Sequence, residues 1–114
     1  NLSVFKELMA QTGIDVIEAF TPPPIGDLSV AEARKAWGDK TIIWVNFPET
    51  VFLYGKENTK EYTIDILKSD PSGVLVIGMT ELGLYGIADE ITEQAFKAGV
   101  RAIMDAIDEY AVNV

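Results

Sequence analysis

Cysteine and histidine are both missing from this chain of 114 residues. Without thiols it can form no disulfide and offer no thiolate. Without imidazoles it holds no His-dependent triad and no imidazole metal ligand of its own. Positive charge is scarce as well: 9 Lys and Arg stand against 18 Asp and Glu, for a net charge of −9. That balance argues against a nucleic-acid or anionic-membrane surface, because phosphate binding draws on clustered Lys and Arg. No run approaches the ~18 apolar residues of a membrane span, and no cleavable signal pattern is present. The sequence therefore reads as a soluble, cytoplasmic protein. What it does have is an apolar share of 48%, normal for a globular α/β domain and too high for disorder. At this length it is one domain at most, or a piece of a larger one.

Three apolar runs read as strands: Ile14 to Ala19, Thr41 to Asn46 and Gly73 to Met79. Each ends in or beside a polar group, namely Glu18, Asn46, and Thr80 with Glu81. Helical patterns fill the spaces between. Leu2 to Gln11 is amphipathic, with Leu2, Phe5, Leu8 and Met9 on one stripe and Gly13 as its stop. Thr21-Pro22-Pro23-Pro24-Ile25-Gly26-Asp27 is a stiff loop, incompatible with helix or interior strand. Ser29 with Glu32 makes a capping box for a helix ending near Trp37-Gly38. A short helix is expected from Phe47-Pro48 to Gly55, then a second capping box at Asn58 and Glu61 opening a helix to Ser69. Leu82 to Gly86 is a glycine-punctuated loop. The last helix spans about Asp89 to Tyr110, with Phe96, Val100, Ile103, Ile107 and Tyr110 on its buried stripe and Asp105, Asp108 and Glu109 on a solvated face. Trp37, Trp44, Phe52 and Tyr54 are expected in the core.

Strands alternating with helices should lie parallel, so the polar groups at their ends gather along one carboxyl edge. In repeated β/α folds that edge is where ligands bind. Right-handed crossovers put the helices on one side of such a sheet, leaving the other face apolar and both edges unpaired. Closing the sheet into an eight-stranded barrel removes both problems but takes roughly 250 residues. The expectation is thus an α/β chain of parallel β/α units, the C-terminal part of a (β/α)8 TIM barrel. It would be cut from a longer protein or completed by strands from a partner through self-association. A small open sandwich is the alternative.

Ile14-Asp15-Val16-Ile17-Glu18, the Pro22 to Asp27 loop, Ala33-Arg34-Lys35-Ala36-Trp37-Gly38-Asp39-Lys40 and Val45-Asn46-Phe47-Pro48 carry a further likeness. Together they resemble the C-terminal part of the uroporphyrinogen decarboxylase superfamily, over essentially the whole chain. The resemblance implies a (β/α)8 barrel whose parent is closest to the corrinoid-dependent methyltransferases. In that branch zinc is bound by a His-x-Cys pair, a late Cys and in some members a Glu. Glu18 matches the strand-end Glu, while the late Cys would fall where this sequence has Met79-Thr80-Glu81. Glu81 as an oxygen ligand would make a different zinc site, or none. The late His of the decarboxylase branch is absent, which speaks against classical porphyrinogen decarboxylation.

The candidate metal ligands are therefore Glu18 and Glu81, and the candidate substrate-binding residues are Asn46, Asp27 and Thr80. Four of them have a structural reading beside the functional one, Glu81 as a solvated residue of its glycine-rich loop. Glu18 is a metal ligand or general acid/base at a barrel mouth, or else a cap or salt-bridge partner. Asn46 binds substrate or fixes the turn before Pro48, and Asp27 bonds backbone amides of the Pro-rich loop. No catalytic residue stands out, and no turnover is expected from the chain alone. Zinc and a corrinoid belong to the longer parent, whose partners would be a small-molecule substrate or a corrinoid protein. A decarboxylase of a porphyrinogen-type substrate and a non-catalytic module that self-associates through its open edges are the other readings.

Overall fold

Parallel strands of apolar residues dominate the first part of the fold, seen in a computed structural model that describes residues 1–79 and 90–112. The fold is mixed α/β. The chain divides into two compact units, Asn1–Pro48 with Ser69–Thr80, and Glu49–Lys68 with Glu81–Val114.

The first unit contains α1 (Lys6–Ala10), β1 (Val16–Phe20), α2 (Val30–Trp37), β2 (Ile42–Asn46) and β3 (Leu75–Gly78). The strands form one parallel sheet in the order β1-β2-β3. All three expected strands are present, each shorter than its apolar run. Ile17, Phe20, Ile43 and Val45 are buried on one face. Trp37 of α2 meets Phe20 edge to face, with ring centroids 5.6 Å apart, so α2 packs on that side. The register places Val16, Ile42, Trp44 and Val76 on the opposite face. Of these, Val16 is 42%, Trp44 41% and Val76 42% exposed. A parallel sheet ordinarily has both faces covered; among the described residues, this one has a single covered face.

The capping box at Ser29 is formed as expected: Glu32 N–H donates to Ser29 Oγ, and Ser29 N–H donates to the Glu32 carboxylate. That exchange, led by the Ser29 hydroxyl, holds the Glu32 carboxyl below its ordinary range. At the far end of α2, Arg34 is buried, and its guanidinium has five N–H donors. Nε and Nη2 bond the two Asp70 oxygens at 3.0 and 2.6 Å. Nη1 reaches the carbonyls of Gly38 at 2.5 Å and Thr41 at 2.6 Å, and Nη2 also reaches Val74 O at 3.4 Å. One side chain thus ties the end of α2 to the segments leading into β2 and β3. Burial pushes the Asp70 carboxyl up, but Arg34 and Ser72 outweigh it and hold the group below its ordinary value.

α1 is shorter than the amphipathic pattern suggested. Leu2 to Phe5 form a turn, because the Asp27 carboxylate accepts the backbone N–H groups of Leu2 and Ser3. The supposed inner stripe is largely outside, with Phe5 and Leu8 exposed. Gly13 does end the segment, at φ +71°. Trp37 is in the core as expected, but Trp44 is not.

The second unit contains a 3-10 helix (Glu49–Tyr54), α3 (Lys56–Ser69) and α4 (Glu90–Val112). The 3-10 helix agrees with the sequence reading, whereas the capping box at Asn58 does not form. Gly55, at φ +91°, lets α3 start at Lys56, so Asn58 lies inside the first turn and its amide donates back to Tyr54 O at 2.6 Å. Thr59 and Thr63 are fully buried because their hydroxyls bond the carbonyls of Gly55 and Thr59, four residues back. Lys56 pairs with Asp105 and Lys60 with Glu109. The pairs advance together along both helices, so α3 and α4 run parallel. Asp105 and Glu109 therefore take part in ion pairs rather than forming a purely solvated face.

The most buried stripe of α4 is Gly99, Ala102, Ile103 and Ala106. Only Ile103 of the expected stripe is fully buried; Phe96, Val100, Ile107 and Tyr110 are half-buried beside it. The small residues are inside because Phe52 comes down onto the helix at Gly99, stacked edge to face on Phe96 with centroids 5.8 Å apart. Tyr54, expected in the core, is exposed. No helix among the described residues is long and apolar enough to cross a membrane.

Candidate functional site

The carboxyl ends of β1 and β2 hold the candidate side chains. Val16 and Ile17 pair with Ile42 and Ile43, but the next pair is Phe20 with Val45. Two residues, Glu18 and Ala19, therefore stand opposite the single residue Trp44, which is a β-bulge. Ala19 has φ +57°, the left-handed region that an alanine enters at a cost of about 1–2 kcal/mol. Bulges of this kind re-aim side chains and concentrate near binding sites. Here the bulge returns Phe20 to the core and leaves Glu18 exposed. The carboxylate is thus not desolvated at a buried strand end, as the apolar Val16-Ile17 before it suggested. Among the described residues it has no hydrogen-bond or ion-pair partner.

If the bulge holds Ala19 under strain, glycine at that position should relieve it. Ala19→Gly is expected to raise stability by up to about 1 kcal/mol, part of the relief being offset by the freer unfolded chain. Ala19→Val should lower it by at least as much, because a β-branched residue is poorly accommodated at positive φ. Urea unfolding of the two variants checks both signs.

Asn46 ends β2 and donates from Nδ2 to Thr21 Oγ1 at 3.2 Å, and Thr21 Oγ1 in turn donates to Ala19 O at 3.4 Å. Thr21, which the sequence marks only as the start of the stiff loop, is thus the link between the two strand ends. Its only signal was its place directly after the strand. Asn46 holds the strand ends rather than standing apart from them. The loop after Thr21 is fixed by Gly26 N–H donating to Pro22 O at 3.1 Å. Gly26 passes so close to the Thr21 carbonyl that a Cβ there would overlap its oxygen. That close approach is the reason for glycine at this point in a proline-rich loop.

Asp27 does bond backbone amides, but those of the N-terminal segment and not of its own loop. Its oxygens accept Leu2 N–H at 2.8 Å, Ser3 N–H at 3.3 Å and the Ser3 hydroxyl at 2.6 Å. The Ser3 hydroxyl above all holds the carboxyl below its ordinary value. Its two oxygens are engaged in tethering. Thr80 and Glu81, the remaining candidates, lie outside the described residues.

Zinc asks for about four N, S or O donors in tetrahedral array. Among the described residues no three His, Cys, Asp or Glu side chains come together. Glu18 supplies one exposed carboxylate, so the described residues do not by themselves fit a metal, and no step through one follows. Their chemistry is hydrogen bonding and charge: a carboxylate at Glu18 and an amide–hydroxyl chain from Asn46 to Thr21, all at one edge of a parallel sheet.

No protein-family model matches the chain, and neither a curated protein nor a solved structure does.

Proposed function

We propose that this chain is part of the wall of a uroporphyrinogen-decarboxylase-like (β/α)8 barrel, the C-terminal portion, whose carboxyl edge binds a small molecule. The observation that carries the reading is the sheet itself. Its three parallel strands follow one another in sequence order, and the face carrying Val16, Trp44 and Val76 is apolar yet exposed. Doubly wound sheets reverse their strand order, whereas a barrel wall keeps it and turns one apolar face inward. The bulge that turns Glu18 outward at the carboxyl end of β1 supports a ligand at that edge.

In this reading the parent is closest to corrinoid-linked methyl transfer, and zinc and the corrinoid belong to the longer barrel. The part left to this chain is to present Glu18 and the Asn46–Thr21 pair to the bound molecule. Equilibrium dialysis against cobalamin, a porphyrinogen and zinc, with wild type and Glu18→Ala, tests it in a protein carrying the complete barrel. Cobalamin retention that falls about tenfold on the substitution, equivalent to about 1.4 kcal/mol, is the expected result. Porphyrinogen retention instead would favour the decarboxylase alternative. No retention of any of the three, or no change on substitution, would overturn the assignment of Glu18.

One observation favours a second reading, a non-catalytic module that self-associates. Among the described residues β1 and β3 are edge strands with no further strand beside them, and open parallel edges are templates for pairing.

A further inference from the structure

Glu18 and Trp44 are neighbours across the open face of the sheet. The bulge sets Glu18 and Ala19 opposite Trp44, and strand alternation puts Glu18 on the face that carries Val16 and Trp44. Adjacent strands lie about 4.8 Å apart, so a small organic ion on this face reaches both side chains. The indole is placed from its other flank. Its N–H edge lies over Gly78, where a Cβ would overlap Nε1 and come within 3.3 Å of Cδ1. Glycine at that point lets the ring extend across β3, and Trp44 remains 41% exposed there.

The Glu18 carboxylate is exposed and has no partner among the described residues. The three strands and residues 21–28 contain no Lys or Arg, so these segments bring it no cation. A metal ion would find a single ligand here, and an anion would be repelled. An alkylated ammonium ion matches every group present: its charge suits Glu18, its cationic face suits the indole, and its alkyl groups suit the exposed Val16 and Val76.

We propose that the carboxyl edge binds a small alkylated ammonium ion, held by the Glu18 carboxylate and the Trp44 indole. The proposal rests on the reading of that edge as a small-molecule site and names the class of molecule. Calorimetric titration of the complete-barrel protein with choline tests it, with 3,3-dimethylbutan-1-ol as the neutral isostere and cobalamin retention measured on the same samples. Choline should bind more tightly than the isostere. Glu18→Gln should weaken choline about fivefold and Trp44→Leu about threefold. Gly78→Ala, which displaces the indole and leaves the carboxylate in place, should act in the same direction as Trp44→Leu. Choline binding no tighter than the isostere, or untouched by Glu18→Gln, would overturn the proposal. Cobalamin retention that still depends on Glu18 would then show that the edge binds a different small molecule, and its absence that the reading of the edge fails as well.

Discussion

Replacing Arg34 with methionine is expected to lower folding stability by about 3–5 kcal/mol, the usual cost of leaving one member of a buried ion pair without the other. Arg34 and Asp70 face each other with side chains 6% and 0% exposed, so water cannot take the place of the missing partner. Methionine fills the volume of the side chain's stem but leaves the Asp70 charge and the carbonyls of Gly38 and Thr41 without their donor. Asp70→Asn should cost a comparable amount, because the guanidinium is then the unmatched charge. The double variant Arg34→Met with Asp70→Leu should lose much less than the sum of the single changes, since no buried charge remains. Urea unfolding measures all three; full additivity would mean that the pair is not coupled.

The same pair sets a dependence on pH. The Asp70 carboxyl is held below its ordinary 3.8 in the folded state, so the native protein binds fewer protons than the unfolded chain around that pH. Its contribution is therefore complete above about pH 4 and is lost as pH falls through the depressed folded value. Stability of the wild type should drop along this acid limb, and Asp70→Asn should remove that part of the drop while lowering stability at neutral pH.

Gly99→Leu is the second large effect, expected to cost about 3 kcal/mol. A Cβ at this position would overlap Cδ1 and Cγ of the Phe52 ring and lie 2.6 Å from Cε1. Overpacking of this kind typically costs about 1–3 kcal/mol. Leucine adds three more carbons to the clash. Alanine is the more informative control, because it would ordinarily strengthen a helix interior by about 1 kcal/mol over glycine. Here Gly99→Ala should destabilise in spite of that gain. Phe52→Leu in the Gly99→Ala background should recover part of the loss. A stabilising Gly99→Ala would show that Phe52 does not sit against the helix.

Strands, helices and the parallel order were legible in the sequence because they depend on local patterns. Apolar runs of the right length, the Ser29–Glu32 capping box and the glycine at position 13 each act within a few residues. What was not legible depends on partners distant in the chain. The Arg34–Asp70 pair spans 36 positions, and nothing local marks either residue as buried. The buried stripe of α4 is not legible in the helix's own periodicity, because Phe52, far from the helix in sequence, takes the space that small residues leave at Gly99. Likewise Trp44 reads as core by its apolar neighbours, yet its face of the sheet is exposed. At the candidate site the sequence located Glu18 and Asn46 at strand ends but could not show the bulge, which needs an alanine in a conformation that sequence normally reserves for glycine. The Asp27 contacts are half legible: the residue type and its loop position point to bonding of backbone amides, but the amides belong to Leu2 and Ser3.

The barrel-wall reading requires the apolar sheet face, open in the single chain, to be covered in the assembled protein, and Trp44 on that face reports on it directly. In a Trp37→Phe background, acrylamide quenching of the single remaining indole, combined with light scattering, reads both its exposure and the assembly state. The expected result is a folded species larger than one chain in which Trp44 is shielded, its face covered by further strands or a second copy. A well-folded, strictly monomeric chain whose Trp44 is quenched as freely as indole in water would contradict it.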